Sequence, residues 1–238
     1  MNNAMSRPKN STVTLPWTTR IKTPQEHTII PRPAQFAFTN STPRFWQGEV
    51  FGSRMFDAMQ LAFPDGERMF IQSVRNYADK ISDPVLKTQV KHFIYQEGQH
   101  GKVHSDFNKH LKNQGLNIDG SVAMIKATLT WFQKISSHKV QLAATVAAEH
   151  LTASLGEHLL SDNDKIFINA NPTMKAFYMW HGAEEVEHKA VAWDVYQQAA
   201  GGGYFTRTIA LAALYPLALV PLTAGTMAMM HSDGELNM

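Results

Sequence analysis

The stretch PVLKTQVKHFIYQEGQHGKVHSDFNKHLKN, residues 84–113, decides the fold. Asp83 suits an N-cap and Pro84 a first helical turn, so the run begins as a helix begins. At about 100° per residue, Val90, Phe93, Ile94, His100, His104 and Leu111 all fall within about 60° of Glu97. One face of this helix is therefore apolar and carries a carboxylate and imidazoles as well. An apolar face turns toward a protein interior, where charged groups must find partners.

Working outward, helical periodicity continues from Trp46 to Gln198, with few internal prolines and no alternating β-branched run. Breaks at Pro64-Asp65-Gly66, Ser82-Asp83-Pro84, Gln114 to Gly120 and Asp162 to Pro172 leave helices near 46–62, 65–80, 84–113, 121–160 and 172–199. Ser136-Ser137 is a candidate interruption of the fourth, Ser121 its candidate N-cap, and Asn171-Pro172 the start of the fifth. The fold class is all-α, a helical bundle.

The flanks read differently. Residues 1–45 hold Pro8, Pro16, Pro24, Pro31, Pro33 and Pro43 among many Thr and Asn and keep no period, which predicts an extended arm on the body. The arm lacks a basic start followed by an apolar core, so it is not a secretory signal, and a cytoplasmic protein is expected. After the glycine hinge Gly201-Gly202-Gly203 (residues 201–238), Thr208 to Met230 is 23 residues without a charge. That length suffices to span a bilayer. Pro216 and Pro221 are expected to divide it into short pieces, buried on the bundle or in a contact between copies. The expectation is membrane association through 208–230 or a homo-oligomer interface.

At 238 residues the chain is one domain with appendages. A net charge of +2 argues against nucleic-acid binding by charge. With no cysteine, disulfides, thiolate nucleophiles, zinc fingers and iron–sulfur clusters are excluded, and a metal would have to be held by histidine and carboxylate. Nine of the 11 histidines fall between His92 and His188.

Two Glu-x-x-His motifs stand in that interval, Glu97/His100 and Glu185/His188. Residues three apart share a helix face, so each motif aims a carboxylate and an imidazole together. His181 lies in the arc of Glu185 and His188 with Phe177, Tyr178, Ala192 and Val195. Glu149 shares its face with Leu142, Thr145, Val146 and Ala153, and Glu67 with Phe70, Ile71 and Val74. Four helices thus each send a carboxylate inward, where an unpaired carboxylate costs several kcal/mol. Inward Lys or Arg are too few between Glu67 and His188 to compensate, whereas a metal pair would. One carboxylate from each of two helices, plus Glu-x-x-His from each of two others, is the ligand layout of dimetal carboxylate bundles. His104, Glu157 and Glu184 are candidates for the layer that supports the ligands. Glu184 also fits the inward arc, so spacing alone does not separate it from Glu185. Glu187 points elsewhere, to solvent or a lysine. His92, His110, His138, His158 and His231 are assigned to the surface, and Tyr95, Tyr178 and Trp180 to the core.

The runs Tyr95-Gln96-Glu97-Gly98-Gln99-His100, Ala148-Glu149-His150-Leu151-Thr152 and Trp180 to Lys189 resemble the bacterial family called predicted metal-dependent hydrolase, over roughly residues 46–200. Its ligand pattern is similar to that of ferritin-like di-iron proteins, which implies a ferritin-like four-helix bundle with extra helices. The third histidine in His181-x-x-x-Glu185-x-x-His188 resembles the di-iron p-aminobenzoate N-oxygenases. The resemblance implies Glu97 and Glu185 as bridges, and Glu67, Glu149, His100, His188 and His181 as terminal ligands.

Mixed imidazole and carboxylate ligands suit iron or manganese, so two Fe ions are expected, with Mn or a mixed Fe/Mn pair as variants. The expected chemistry is dioxygen activation on a small or lipid-like substrate, with an external electron donor, because no flavin or nicotinamide fingerprint is present. The alternatives are hydrolysis by a metal-activated water, and non-catalytic metal storage or sensing.

Overall fold

A computed structural model of the chain describes residues 28–39 and 42–236. The described residues are helical, without a strand, and the order is α1 (Val50–Gln60), α2 (Phe63–Arg75), a 3₁₀ turn (Ala78–Lys80), α3 (Pro84–Asn113), α4 (Asp119–Ile135), α5 (His138–Ser161), α6 (Asn163–Ile166), α7 (Pro172–Gln198) and α8 (Tyr204–Ser232). The caps explain several of these boundaries. Asp83 accepts from the Val85 and Leu86 amides ahead of α3, and Asn171 accepts from Thr173 and Met174 ahead of α7. Ser137 accepts from the Val140 amide, so the Ser136-Ser137 step ends α4 and starts α5. The expectation of Ser121 as an N-cap is corrected: α4 begins two residues earlier, after Ile118, with no side-chain cap.

Four helices form the bundle. α5 packs along α7 and α2 along α3, and the two pairs close through α3–α7 and α2–α5 contacts. The α5–α7 pair approaches most closely at Gly156 and Gly182, where a Cβ built on Gly182 would lie 3.1 Å from the Gly156 Cα and one on Gly156 would overlap the Gly182 carbonyl. One apolar cluster includes Val74, Phe93, Leu142, Val191 and Val195; the other includes Trp46, Phe56, Phe107, Phe177 and Tyr178. The ligand candidates sit among these walls.

The described part of the arm is extended, as expected, and it packs. Ile29 is buried, and Phe36 and Phe38 both stand 5.5 Å from the Phe177 ring. The arm before residue 28, residues 40–41 and residues 237–238 lie outside the described residues. Arg54 on α1 is fully buried between Asp57 and Asp233, each 2.6 Å away, which ties the residue after α8 to α1. Trp46 donates to the same Asp57 at 3.0 Å.

Pro216 and Pro221 do not divide the C-terminal segment. α8 is one helix of 29 residues with both prolines inside it, lying on α1 and α5. Each proline removes one backbone donor, but the turn that holds them is exposed, so the missing bond leaves no buried group unsatisfied. Tyr95 is also corrected, since its side chain is exposed, whereas Tyr178 is buried as expected.

Candidate metal centre

α2 supplies Glu67, α3 supplies Glu97, His100 and His104, α5 supplies Glu149, and α7 supplies His181, Glu184, Glu185 and His188. All of these side chains are buried. They gather in two adjoining groups. In the first, Glu97, His100, Glu185 and His188 each offer a donor atom, and these atoms lie within 4.8 Å of one another. Glu149 adds an oxygen 3.9 Å from His188 Nδ1. The second group is Glu67, His104 and His181, within the same spread. Glu185 stands between the groups, with Oε1 2.8 Å from His181 Nε2 and 3.4 Å from His100 Nδ1. Thr152 donates to its other oxygen.

Hydrogen-bond partners assign the imidazole tautomers. His188 Nε2 donates to Gln96 Oε1 at 3.0 Å, and the Gln96 amide is held the right way round because its nitrogen donates to the Ile30 carbonyl and to Glu187. That leaves the His188 Nδ1 lone pair facing Glu97 Oε1 at 2.8 Å, close but with no hydrogen-bond geometry. His100 Nε2 donates to Glu184 at 3.0 Å, which turns its Nδ1 toward Glu97 and Glu185. In the second group His181 Nε2 donates to Glu185. His104 bonds Gln60 through Nδ1 and His181 Nδ1 through Nε2, each at 3.0 Å, with Glu67 Oε1 3.6 Å from that Nε2. Glu67, His104 and His181 lie close enough together to take a cation in place of the ring-to-ring bond.

The unsatisfied atoms mark the same places. Both oxygens of Glu67, Glu97 and Glu149, and Nδ1 of His100 and His188, are buried without a hydrogen-bond partner among the described residues. Burial holds the Glu67, Glu97 and Glu149 carboxyls well above the ordinary carboxylate range, and neighbouring carboxylates add to this. Burial also pushes His104 and His181 down and takes His188 to about 3, which keeps these rings neutral, as ligands must be. For His100 burial acts downward too, but its bond to Glu184 and the Glu185 carboxylate 3.4 Å from Nδ1 outweigh it and lift the group to about 10. Burial pushes Glu185 up, yet His100 and His181 together hold it well below the carboxylate range. The residues therefore fit a pair of divalent metals: imidazoles held by Gln96, Glu184 and Gln60, and the Glu67, Glu97 and Glu149 carboxylates, whose oxygens have no hydrogen-bond partner among the described residues. Phe63, Phe93, Phe177 and Trp180 pack on the four rings at 4.6–5.1 Å and keep the centre dry.

All seven expected ligands, Glu67, Glu97, His100, Glu149, His181, Glu185 and His188, come together here. His104, expected in a supporting role, offers its own Nε2 to the second group. Glu184 supports His100, which separates it from Glu185. Glu157 does not belong to the site: it is exposed and pairs with Lys189, because an eight-residue step turns it out of the Glu149 face. Glu187 pairs with Arg32 at 2.6 Å and with Gln96, not with a lysine. Arg32 also reaches Glu184 at 3.5 Å, so one cation does approach the centre, from the arm. His110 is buried against Phe107 and bonded to Gln114, contrary to its surface assignment. Gln60, Gln96 and Arg32 escaped sequence reasoning. No spacing ties Gln60 to His104 or Arg32 to Glu184, although Gln96 could have been suspected beside Glu97.

A small cleft reaches the centre between α1, α2, α5 and α7, lined by Met59, Phe63, Leu155 and Leu159 and ending on Thr152, His181 and Glu185. Residues 30–238 match the model of a family described as "Predicted metal-dependent hydrolase". The match extends beyond the bundle into the arm, Arg32 included, and through α8. No curated protein and no solved structure matches the chain.

Proposed function

We propose that this chain, which belongs to the predicted metal-dependent hydrolase family, is a dinuclear metal enzyme that hydrolyses a carboxylic ester carrying an apolar chain. The observation that carries this reading is the paired set of buried, unpartnered donors at the end of an apolar cleft. Glu97, His100, Glu149, Glu185 and His188 would hold one metal, and Glu67, His104 and His181 the other. Bound there, a metal pair supplies Lewis acidity and lowers the pKa of a water. Gln96, Glu184 and Gln60 hold the ligand rings in their tautomers, and Thr152 fixes Glu185. Met59, Phe63, Leu155 and Leu159 exclude bulk water around an enclosed space of about 20 Å³, which would have to widen to receive the apolar part of the substrate. Arg32, the nearest cation, is already paired with Glu187 and Glu184 and is poorly placed to receive a phosphate, which favours an uncharged ester over a phosphoester.

One observation favours a second reading, dioxygen activation with iron and an external electron donor. The ligands come as single carboxylates from α2 and α5 and Glu-x-x-His from α3 and α7, the layout of di-iron carboxylate bundles. Protein loaded with zinc, manganese or, anaerobically, ferrous iron is assayed with p-nitrophenyl laurate and p-nitrophenyl phosphate, and for oxygen uptake after reduction. Metal-dependent cleavage of the laurate ester, abolished in Glu185→Ala, is expected. Inert esters with every metal, alongside oxygen uptake by the iron form, would transfer the assignment to the second reading.

A further inference from the structure

The outer surface carries an apolar feature that the metal centre does not use. α8 has no charged residue from Thr208 to Met230 and is long and apolar enough to cross a membrane. Its two halves touch the body: Ala210 packs on the first apolar cluster, while Leu222 and Met229 pack with the second and Gly225 approaches Ala58 on α1. Between them, every residue from Tyr215 to Pro221 is exposed. Seven consecutive helical residues sweep nearly two turns, so this segment shows Leu217, Leu219 and Val220 in all directions. A second protein surface covers one stripe of such a segment, whereas acyl chains also fill in along its sides.

Both ends of α8 are fastened to the same body. Tyr196 donates to the Gly203 carbonyl at its start, and the buried Arg54 holds Asp233 just past its end. At 1.5 Å per residue the helix is about 44 Å long, so it is pinned lengthwise and does not project from the body. A crossing orientation would have to pull Asp233 off Arg54 and leave a buried guanidinium with one partner fewer. α4 likewise has no buried residue and shows Met124, Trp131 and Ile135 along one stripe. Lys139, whose Nζ would lie 3.7 Å from a Cβ built on Gly203, and Arg207, 4.4 Å from the Trp193 ring, stand at the start of α8 and supply positive charge that anionic headgroups attract.

We infer that α8 beds the protein flat on a lipid bilayer, with its middle in the acyl region and both ends at the headgroups, and does not span it. The inference is independent of the reaction at the metal centre.

Flotation with phosphatidylcholine vesicles, with and without phosphatidylglycerol, tests the docking. The full chain is expected to float, more strongly with the anionic lipid. Leu217→Asp combined with Val220→Asp should reduce flotation at least tenfold while melting temperature and metal content stay at wild-type values. The chain has no cysteine, so Tyr204→Cys, Leu219→Cys and Ser232→Cys can report topology with an impermeant maleimide added outside the vesicles. Labelling at 204 and 232 with protection at 219 is the expected pattern. Protection at one end would overturn the flat orientation in favour of a span. A wild-type chain that stays unbound with both lipids, and dimerises in sedimentation through the same leucine and valine, would overturn membrane docking in favour of a contact between copies.

Discussion

In the metal-free protein Glu67, Glu97 and Glu149 hold their protons above the ordinary carboxylate range because they are buried together, and His100 holds its own to about 10. An unfolded chain binds these protons with ordinary affinity, so each raised group stabilises the fold below its unfolded value and loses that contribution as pH rises through its folded one. His188 does not oppose this above neutrality, because both its folded and unfolded forms are already neutral there. The metal-free melting temperature should therefore fall between pH 7 and 9, while the metal-loaded protein, whose carboxylates are ionised against the cations, should not follow it. Titration with metal near pH 7 should release about two or more protons per chain, read by calorimetry in buffers of different ionisation enthalpy. No proton release, or parallel melting curves, would contradict the pairing of these carboxylates with metals. The residues behind this behaviour were legible in sequence because each lies on an apolar helical stripe, where a carboxylate needs a partner. Gln60 and Arg32 were not, since each acts from an element whose packing only the tertiary structure sets. His104 shared the right stripe, but its place as a candidate ligand depends on the tertiary packing that brings Nε2 to His181 and Glu67.

At the scale of elements, the site depends on how closely α5 and α7 approach, because Glu149 and Thr152 sit on one and Glu185 and His188 on the other. Gly156 and Gly182 permit that approach. Gly156→Ala puts a methyl into the Gly182 carbonyl, which is backbone and cannot step aside. The expected outcome is a loss of about 1–3 kcal/mol of stability from overpacking, measured by urea unfolding, with weakened metal binding as the helices part. Gly98→Ala, with open space around it, should be neutral or stabilising. If the two variants behaved alike, the close approach would not be what holds the ligands in register. Helix order and most boundaries followed from periodicity and capping residues, and Ser137 marks the division of α4 from α5 in both sequence and structure. The prolines of α8 misled: each removes one backbone donor and crowds the carbonyl four residues back, a local cost that α8 carries on an exposed stretch without breaking.

For the whole molecule, the arm, the bundle and α8 converge on one arrangement. The arm brings Ile30 and Arg32 to Gln96, Glu184 and Glu187 behind the ligands, and α8 rests on α1 and α5, two of the helices that line the cleft. A family match running from residue 30 through α8 includes both outer elements with the bundle. The central claim is that this bundle holds two metals. Crystals of the full chain grown with manganese, with anomalous diffraction recorded at the metal edge, test it most directly. Two anomalous peaks per chain are expected, one among Glu97, His100, Glu149, Glu185 and His188 and the other among Glu67, His104 and His181. A well-folded chain with a single peak, or with none at these residues, would contradict it.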